Sequence, residues 1–246
     1  MNIKKIKPKF TTRKNPRVGL IVLSTDVMIE KDFLKVLGDK HVDLFVNRIN
    51  NCNPVTAENL NKMVNKITSV TESILPGEKI DCVVYGCTSG TIVSGYNNIK
   101  KKINTAKPDA MVTTPSVAAV NALKKKNIKK ISIVTPYTKN LNDNVVNFFK
   151  ENNFIITSNT YFDIESDKDI GKVDQENLFE LLSKIDHNNA EALFVSCTSL
   201  PVLNIIEKLE KNLGITVFSS NQALIWETLE KINRNKLIKG FGSLFN

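Results

Sequence analysis

The sequence is poor in the residues that mark disulfide-bonded, metal-binding and exported proteins. Its 246 residues include 4 cysteines and 2 histidines, and no two cysteines form a CxxC pair. This spacing argues against a disulfide framework and against a zinc knuckle. No apolar run approaches the roughly 20 residues that a membrane helix needs, and the basic start MNIKKIKPKFTTRKNPR lacks the apolar stretch of a secretory signal. We therefore expect a cytosolic protein with reduced thiols, no metal ion and no membrane partner.

Acidic residues are the scarcer charge type, and the formal net charge is +9. The lysines are scattered, apart from runs at 100–102 and 124–126, and asparagine is abundant as well. Joint enrichment in lysine and asparagine is typical of an AT-rich genome, and a lysine run at a helix end is usually a solvated face. We predict no nucleic-acid partner, although the net charge would attract an anionic substrate. We expect residues 1–16 to form a basic N-terminal arm outside the folded part of the chain.

Apolar runs rich in β-branched residues alternate with helix-like stretches throughout the chain. The predicted strands cover 18–23, 42–49, 81–85, 110–113, 130–135, 154–161, 191–195 and 215–218. The predicted helices cover 30–38, 56–74, 91–102, 116–126, 139–151, 174–186, 201–211 and 221–234. Continuous apolar strands that alternate with helices indicate an α/β fold with parallel sheets covered on both faces.

A Cys-Thr-Ser tripeptide occurs twice, each time just after an apolar run, in DCVVYGCTSGT and in EALFVSCTSLP. Cys197 follows Cys87 by 110 residues, and the first two predicted strands recur at an offset of about 112 residues. A common offset indicates two halves of like topology. We place these halves at 17–114 and 115–220, with the C-terminal segment 221–246 joined to the first half.

Ligands of parallel α/β sheets bind at the carboxyl ends of the strands. Two facing halves would bring Ser24, Cys87, Tyr137 and Cys197 to one cleft. A cysteine between a strand and a helix start lies near amide N–H groups, which favour the thiolate and bind anions. The hydroxyl residues that follow the two cysteines are predicted to bind a substrate carboxylate; they are Thr88, Ser89, Thr198 and Ser199.

The sequence leaves two possible roles for several other residues. Tyr137 either hydrogen-bonds a substrate carboxylate or packs as an ordinary tyrosine. Thr114, beside a proline at a helix start, either caps that helix or binds a carboxylate. The segment 219–221 is interpreted first as a helix N-cap and second as a ligand contact. Cys82 lies inside a predicted strand and is assigned to the core, and Cys52, in a loop, has no predicted role.

Several segments carry a resemblance to a known group of enzymes; they are RVGLIVLSTDVMIEKDF at 17–33, YGCTSGT at 85–91, TTPSVAAVNAL at 113–123 and FVSCTSLP at 194–201. The chain resembles the aspartate/glutamate racemase superfamily. Within it, the chain is most similar to the branch of maleate cis-trans isomerase, arylmalonate decarboxylase and the ectoine-utilisation racemase-like proteins. The resemblance implies two flavodoxin-like halves, an active site between them, no cofactor and a homodimer. It also implies that Cys87 and Cys197 flank the reacting carbon.

Two positions depart from the maleate isomerase pattern. Asp26 stands where the resemblance implies an asparagine that contacts a substrate carboxylate, and Asp167 corresponds to a second such asparagine. Carboxylates there would repel a dicarboxylate and attract an ammonium group. The resemblance also implies that the decarboxylases have glycine at the position of Cys87. A chain with both cysteines therefore favours an isomerase or a racemase.

We predict a cofactor-independent isomerase or racemase that acts on a small carboxylate by proton transfer between Cys87 and Cys197. The leading choice of substrate is an amino acid or a diamino-acid derivative. The alternatives are a maleate-type cis-trans isomerase with a covalent cysteine adduct, an arylmalonate-type decarboxylase, and a non-catalytic protein that binds a small carboxylate. Pro201 suits the first turn of a helix. The amides of that helix are predicted to point towards Cys197 and to favour thiolate there over Cys87.

Overall fold

The computed structural model describes residues 4–38, 41–235 and 238–246, and its strands form two parallel sheets of four strands. The first sheet contains β1 (Arg17–Leu23), β2 (Asp43–Ile49), β3 (Cys82–Gly86) and β4 (Met111–Thr113). The second contains β5 (Lys130–Thr135), β6 (Ile155–Tyr161), β7 (Ala192–Val195) and β8 (Thr216–Ser219). The strand orders, β2-β1-β3-β4 and β6-β5-β7-β8, are equivalent. The predicted two-half α/β architecture is therefore confirmed.

Helices connect the strands, as parallel pairing requires. They are α1 (Ile29–Leu37), α2 (Ala57–Val64), α3 (Ile67–Glu72), α4 (Thr88–Ser94), α5 (Tyr96–Ala106), α6 (Pro115–Lys125), α7 (Lys139–Glu151), α8 (Asp167–Ile170), α9 (Gln175–Lys184), α10 (Ile206–Leu213) and α11 (Ser220–Lys231). Short 3-10 helices cover Leu203–Ile205 and Ser243–Phe245. No helix in the described ranges is long and apolar enough to cross a membrane.

The central strands carry the core, because parallel strands covered on both faces bury every side chain. All five residues of β3 are buried, whereas the edge strand β2 is mostly half-buried. At the end of β3, a Cβ on Gly86 would lie 2.5 Å from Ile29 Cδ1. Only glycine allows α1 to pack this closely against the strand end that precedes Cys87. In the second half, the rings of Phe149 and Phe194 pack with centroids 4.9 Å apart.

Three helix predictions differ from the structure, and one short helix was not predicted. The predicted helix at 56–74 is two helices, α2 and α3. The one predicted at 91–102 begins earlier, at Thr88, and is interrupted at Gly95, which has a φ of 77°. Helix α8 lies in a segment for which no helix was predicted. The helix predicted from 201 begins only at Leu203, because the N–H of Val202 bonds to the carbonyl of Leu200 in a non-helical turn.

The last helix crosses back to the first half. Helix α11 packs against α6, β3 and β4, which supports the assignment of segment 221–246 to that half. Helix α6 also contacts α4, although the predicted boundary gives it to the second half. The boundary between residues 114 and 115 stays a prediction.

Candidate active site

The two repeated cysteines occupy equivalent places, just after β3 and just after β7. Both side chains are only 4% exposed. Cys87 is the N-cap of α4, and its Sγ accepts a hydrogen bond from the Gly90 N–H at 3.2 Å. Cys197 lies in an irregular segment, and its Sγ accepts from the Ser199 N–H at 3.4 Å. Each thiol therefore faces at least one backbone donor, as the local sequence predicts.

Hydrogen bonds join the two cysteine segments directly. The Thr88 hydroxyl donates to Ser220 Oγ at 2.9 Å, and the Cys197 N–H donates to the same oxygen at 3.0 Å. The Thr198 hydroxyl donates to the Gly86 carbonyl at 3.4 Å. Ser220 thus links a residue beside one cysteine to the backbone of the other. Both thiols consequently belong to one buried site at the junction of the halves.

Burial dominates the acidity of both thiols, because a thiolate loses its hydration there. Burial raises the pKa of Cys87 to about 12, with Asp167 and Asp26 acting in the same direction and the Gly90 N–H opposing them. Burial raises the pKa of Cys197 further, as does Asp167, while Tyr137 lowers it. Burial therefore favours the protonated thiol over the thiolate at both cysteines.

The structure does not support the predicted difference between the cysteines. The Gly90 N–H that donates to Cys87 Sγ belongs to the first turn of α4. No helix of the described chain begins between Cys197 and Val202. The premise that helix amides favour thiolate at Cys197 is therefore wrong. The cysteine that lies at a helix N-terminus is Cys87.

Each cysteine has a buried tyrosine beside it. The Tyr137 hydroxyl lies beside Cys197, and burial, with both cysteines adding, raises the pKa of Tyr137 well above its usual value. The Tyr85 hydroxyl lies beside Cys87; a Cβ on Gly90 would lie 2.8 Å from Cys87 Sγ and 2.9 Å from Tyr85 Oη. Glycine at 90 is thus required for this approach. Tyr137 was predicted, whereas the sequence marked Tyr85 only as a strand residue.

Two buried carboxylates border the thiols, as the prediction for Asp26 and Asp167 requires. Asp26 Oδ1 accepts from the N–H groups of Met28 and Ile29 at 2.8 and 3.0 Å, so it initiates α1. Asp167 accepts from the hydroxyl of Ser199 at 3.0 Å. Burial raises the pKa of Asp26. Both carboxylates raise the pKa of both thiols.

Among the other predicted residues, Ser24 does not join the buried group. It is exposed, and its hydroxyl contacts the Ile49 carbonyl and Asn50 at 3.1 Å. The neighbouring Thr25 instead donates to Asp167. Thr114 is fully buried as the N-cap residue of α6, and its hydroxyl has no partner among the described residues. The hydroxyl makes no capping hydrogen bond with α6, and carboxylate binding stays a prediction.

The sequence also missed a supporting layer behind Cys197. Asn221 Nδ2 donates to the Thr198 carbonyl and to Asp32 Oδ2, both at 2.8 Å. Burial raises the pKa of Asp32 to about 7. Ser219 is the N-cap of α11 with a capping box to Gln222, so the first interpretation of 219–221 is confirmed for that residue alone. Ser220 and Asn221 orient the site through these bonds, and the polar run at 219–221 was the available signal in the sequence.

The backbone at Cys197 provides a stability test. Its φ is 121°, a conformation that L-residues rarely adopt and that costs roughly 1–3 kcal/mol. Glycine adopts it readily. Cys197→Gly is therefore expected to be more stable than Cys197→Ala by about 1 kcal/mol in urea unfolding, although both variants lose the same thiol. Equal stabilities would show that residue 197 carries no strain.

The fold and the site define an α/β protein of two like halves with a buried cysteine at the same strand end of each. The sequence profile of one family, arylmalonate decarboxylase, matches residues 18–245. The chain belongs to that family. The resemblance predicted from the motifs is confirmed.

Known members are similar along most of the chain. A maleate isomerase of Geobacillus stearothermophilus is 24% identical over 248 residues, which cover 95% of this chain and 98% of that protein. The arylmalonate decarboxylase of Bordetella bronchiseptica is 26% identical over 54% of this chain and 57% of its own length. A Nocardia farcinica maleate cis-trans isomerase, a Cys-to-Ser mutant with a covalently bound succinylcysteine intermediate, has the same fold. It has a TM-score of 0.86, is 21% identical, and the match covers 94% of this chain and 98% of that one.

Proposed function

We propose that this protein is a cofactor-independent cis-trans isomerase of a maleate-type substrate, a four-carbon cis alkene with a carboxyl-derived group at each end. The observation that carries the proposal is the pair of buried thiols, Cys87 and Cys197, joined through Ser220. The maleate isomerase relatives support this choice over the amino-acid substrate that we first predicted, and that prediction is corrected here. Two thiols at one site also suit isomerisation better than decarboxylation.

Cys87 is the proposed nucleophile. Its thiol releases a proton to solvent, and the Gly90 N–H and the adjoining first turn of α4 stabilise the thiolate. The sulfur then bonds to one alkene carbon, and the π electron pair moves to the neighbouring carbon, where the adjacent carbonyl group delocalises it. A covalent adduct of this type agrees with the succinylcysteine held by the Nocardia farcinica neighbour.

Cys197 is the proposed acid and base. Its thiol donates a proton to the carbanionic carbon, which leaves a single bond between the two former alkene carbons. After rotation about this bond, the Cys197 thiolate takes the proton back, the π bond re-forms and Cys87 leaves as thiolate. Tyr137 stabilises the Cys197 thiolate, since its hydroxyl lowers the pKa of that cysteine. The hydroxyl of Ser89, near Tyr137, is placed to bind a carboxylate.

The test combines product detection with trapping of the adduct. The protein is incubated with maleate and with its monoamide, and the trans product is followed by proton NMR. In Cys197→Ser, water or the serine hydroxyl can still protonate the carbanion, but no thiolate is present to remove the proton again. We therefore expect a covalent adduct to accumulate on Cys87, visible by intact-protein mass spectrometry. A Cys87→Ser, Cys197→Ser double variant is the matched control and should show no adduct. Absence of trans product from both compounds, together with absence of the adduct, would refute the proposal.

A further inference from the structure

One of the two carboxylates beside the thiols, Asp26, has an oxygen that accepts no hydrogen bond from the described residues. Asp26 is fully buried, and its Oδ1 already accepts two backbone hydrogen bonds. Its Oδ2 has no hydrogen-bond partner in the described ranges. The nearby Thr198 hydroxyl is directed to the Gly86 carbonyl at 3.4 Å. A buried acceptor without a donor is costly, so a ligand that supplies an N–H or O–H group would be stabilised there.

The second carboxylate beside the thiols, Asp167, already accepts hydrogen bonds from hydroxyl groups. Asp167 is 5% exposed, and its oxygens accept from Ser199 and Thr25. Neither Asp26 nor Asp167 forms a salt bridge in the described parts of the chain. The neighbouring cation, Arg48, donates to the Leu23 and Asp26 carbonyls and pairs with Glu30. The negative charge beside the thiols is therefore not neutralised by a basic side chain.

The other groups around the thiols are hydrogen-bond donors. The Tyr137 and Ser89 hydroxyls lie beside Cys197 and Cys87 and are uncharged. They suit one substrate carboxylate. The site thus contains both hydroxyl donors and carboxylate acceptors, which together suit a four-carbon alkene whose two end groups differ. An ionised Asp26 would repel the second carboxylate of a dicarboxylate, because like charges in contact oppose binding strongly.

The geometry points to a substrate with one carboxylate and one neutral carboxamide, a cis-enedioic half-amide, whose amide N–H donates to Asp26 Oδ2. This inference rests on the proposed function and specifies its substrate. The carboxamide fits both requirements of the site. It supplies the missing donor, and its carbonyl still withdraws the electron pair that addition of a thiolate releases. An ammonium group would supply the donor but could not delocalise that electron pair.

The test compares kcat/KM for the maleate monoamide and for maleate at pH 8. In the unmodified protein we expect a preference for the monoamide of at least about tenfold. Asp26→Asn, which removes the charge and offers an amide donor, should lower this ratio at least about tenfold by improving use of the diacid. Asp109→Asn is the matched control, since it makes the same change at an exposed carboxylate in the loop before β4, and it should leave the ratio unchanged.

A second measurement uses only the unmodified protein and is independent of whether the variants fold. Calorimetric titration with the saturated analogues, succinate and its monoamide, should show at least about tenfold tighter binding of the monoamide. Equal or tighter binding of the diacid, or an Asp26→Asn ratio within about twofold of the original, would overturn the inference. Isomerisation of maleate in preference to the monoamide would overturn it while leaving the proposed function intact. Failure to isomerise either compound would count against the proposed function itself.

Discussion

Replacing Cys87 with serine is expected to lower kcat for cis-trans isomerisation at least about a thousandfold. The serine hydroxyl ionises far less readily than a thiol, and the nucleophile must attack as its anion. The backbone donor at Gly90 and the cap of α4 would remain, so the loss reports the sulfur itself. Initial rates of trans-product formation by proton NMR, at saturating substrate, measure the effect.

The matched control for this substitution is Cys52→Ser. Cys52 is exposed, whereas Cys87 is buried at the end of β3, and we expect the control to retain full activity. Unfolding curves of both variants separate loss of chemistry from loss of structure. Activity of Cys87→Ser within about tenfold of the unmodified protein would exclude Cys87 as the nucleophile.

Truncating Phe194 to alanine is expected to lower the free energy of unfolding by about 3–5 kcal/mol. Phe194 is fully buried on β7, three residues before Cys197, and it packs against Phe149. Alanine would leave a cavity under the strand that positions the second thiol. Urea denaturation followed by circular dichroism gives the change in free energy.

Phe10→Ala is the same substitution at a side chain that is 94% exposed, and it is expected to change stability by less than about 0.5 kcal/mol. A cost below about 1 kcal/mol for Phe194→Ala would contradict the packing described for the second half. A similar cost at both positions would contradict it as well, because the difference in burial predicts a large difference in energy.

The paired site is a product of the duplicated topology. The third strand of each half, β3 or β7, ends at the same edge of its sheet and is followed by a cysteine. The surroundings of the two cysteines then differ. Cys87 caps α4, whereas Cys197 has a φ of 121° and the Tyr137 hydroxyl beside it. We propose that this difference separates the nucleophile from the acid.

Strands were easier to predict than helix ends. The eight predicted strands correspond to β1 through β8. The central strands are recognisable because a parallel strand buried on both faces needs uninterrupted apolar residues. The break between α4 and α5 at Gly95 depends on one backbone angle, and α8 has only four residues, too few for a helical period. The turn after Cys197 was also predicted wrongly. Pro201 suits the start of a helix, but the backbone there forms a non-helical turn.

The sequence by itself determined the strand–helix alternation, the duplication and the two Cys-Thr-Ser segments, since all three are local patterns repeated along the chain. Tertiary structure alone decided which groups surround those cysteines. Thr88 and Ser220 are 132 positions apart, and Asp32 and Asn221 are 189 apart. It also decided that Tyr85 approaches Cys87 and that Asp26 has a buried oxygen with no hydrogen-bond partner among the described residues. Hydrogen bonding and burial depend on distances in space, which residue spacing along the chain does not encode until the two halves pack together.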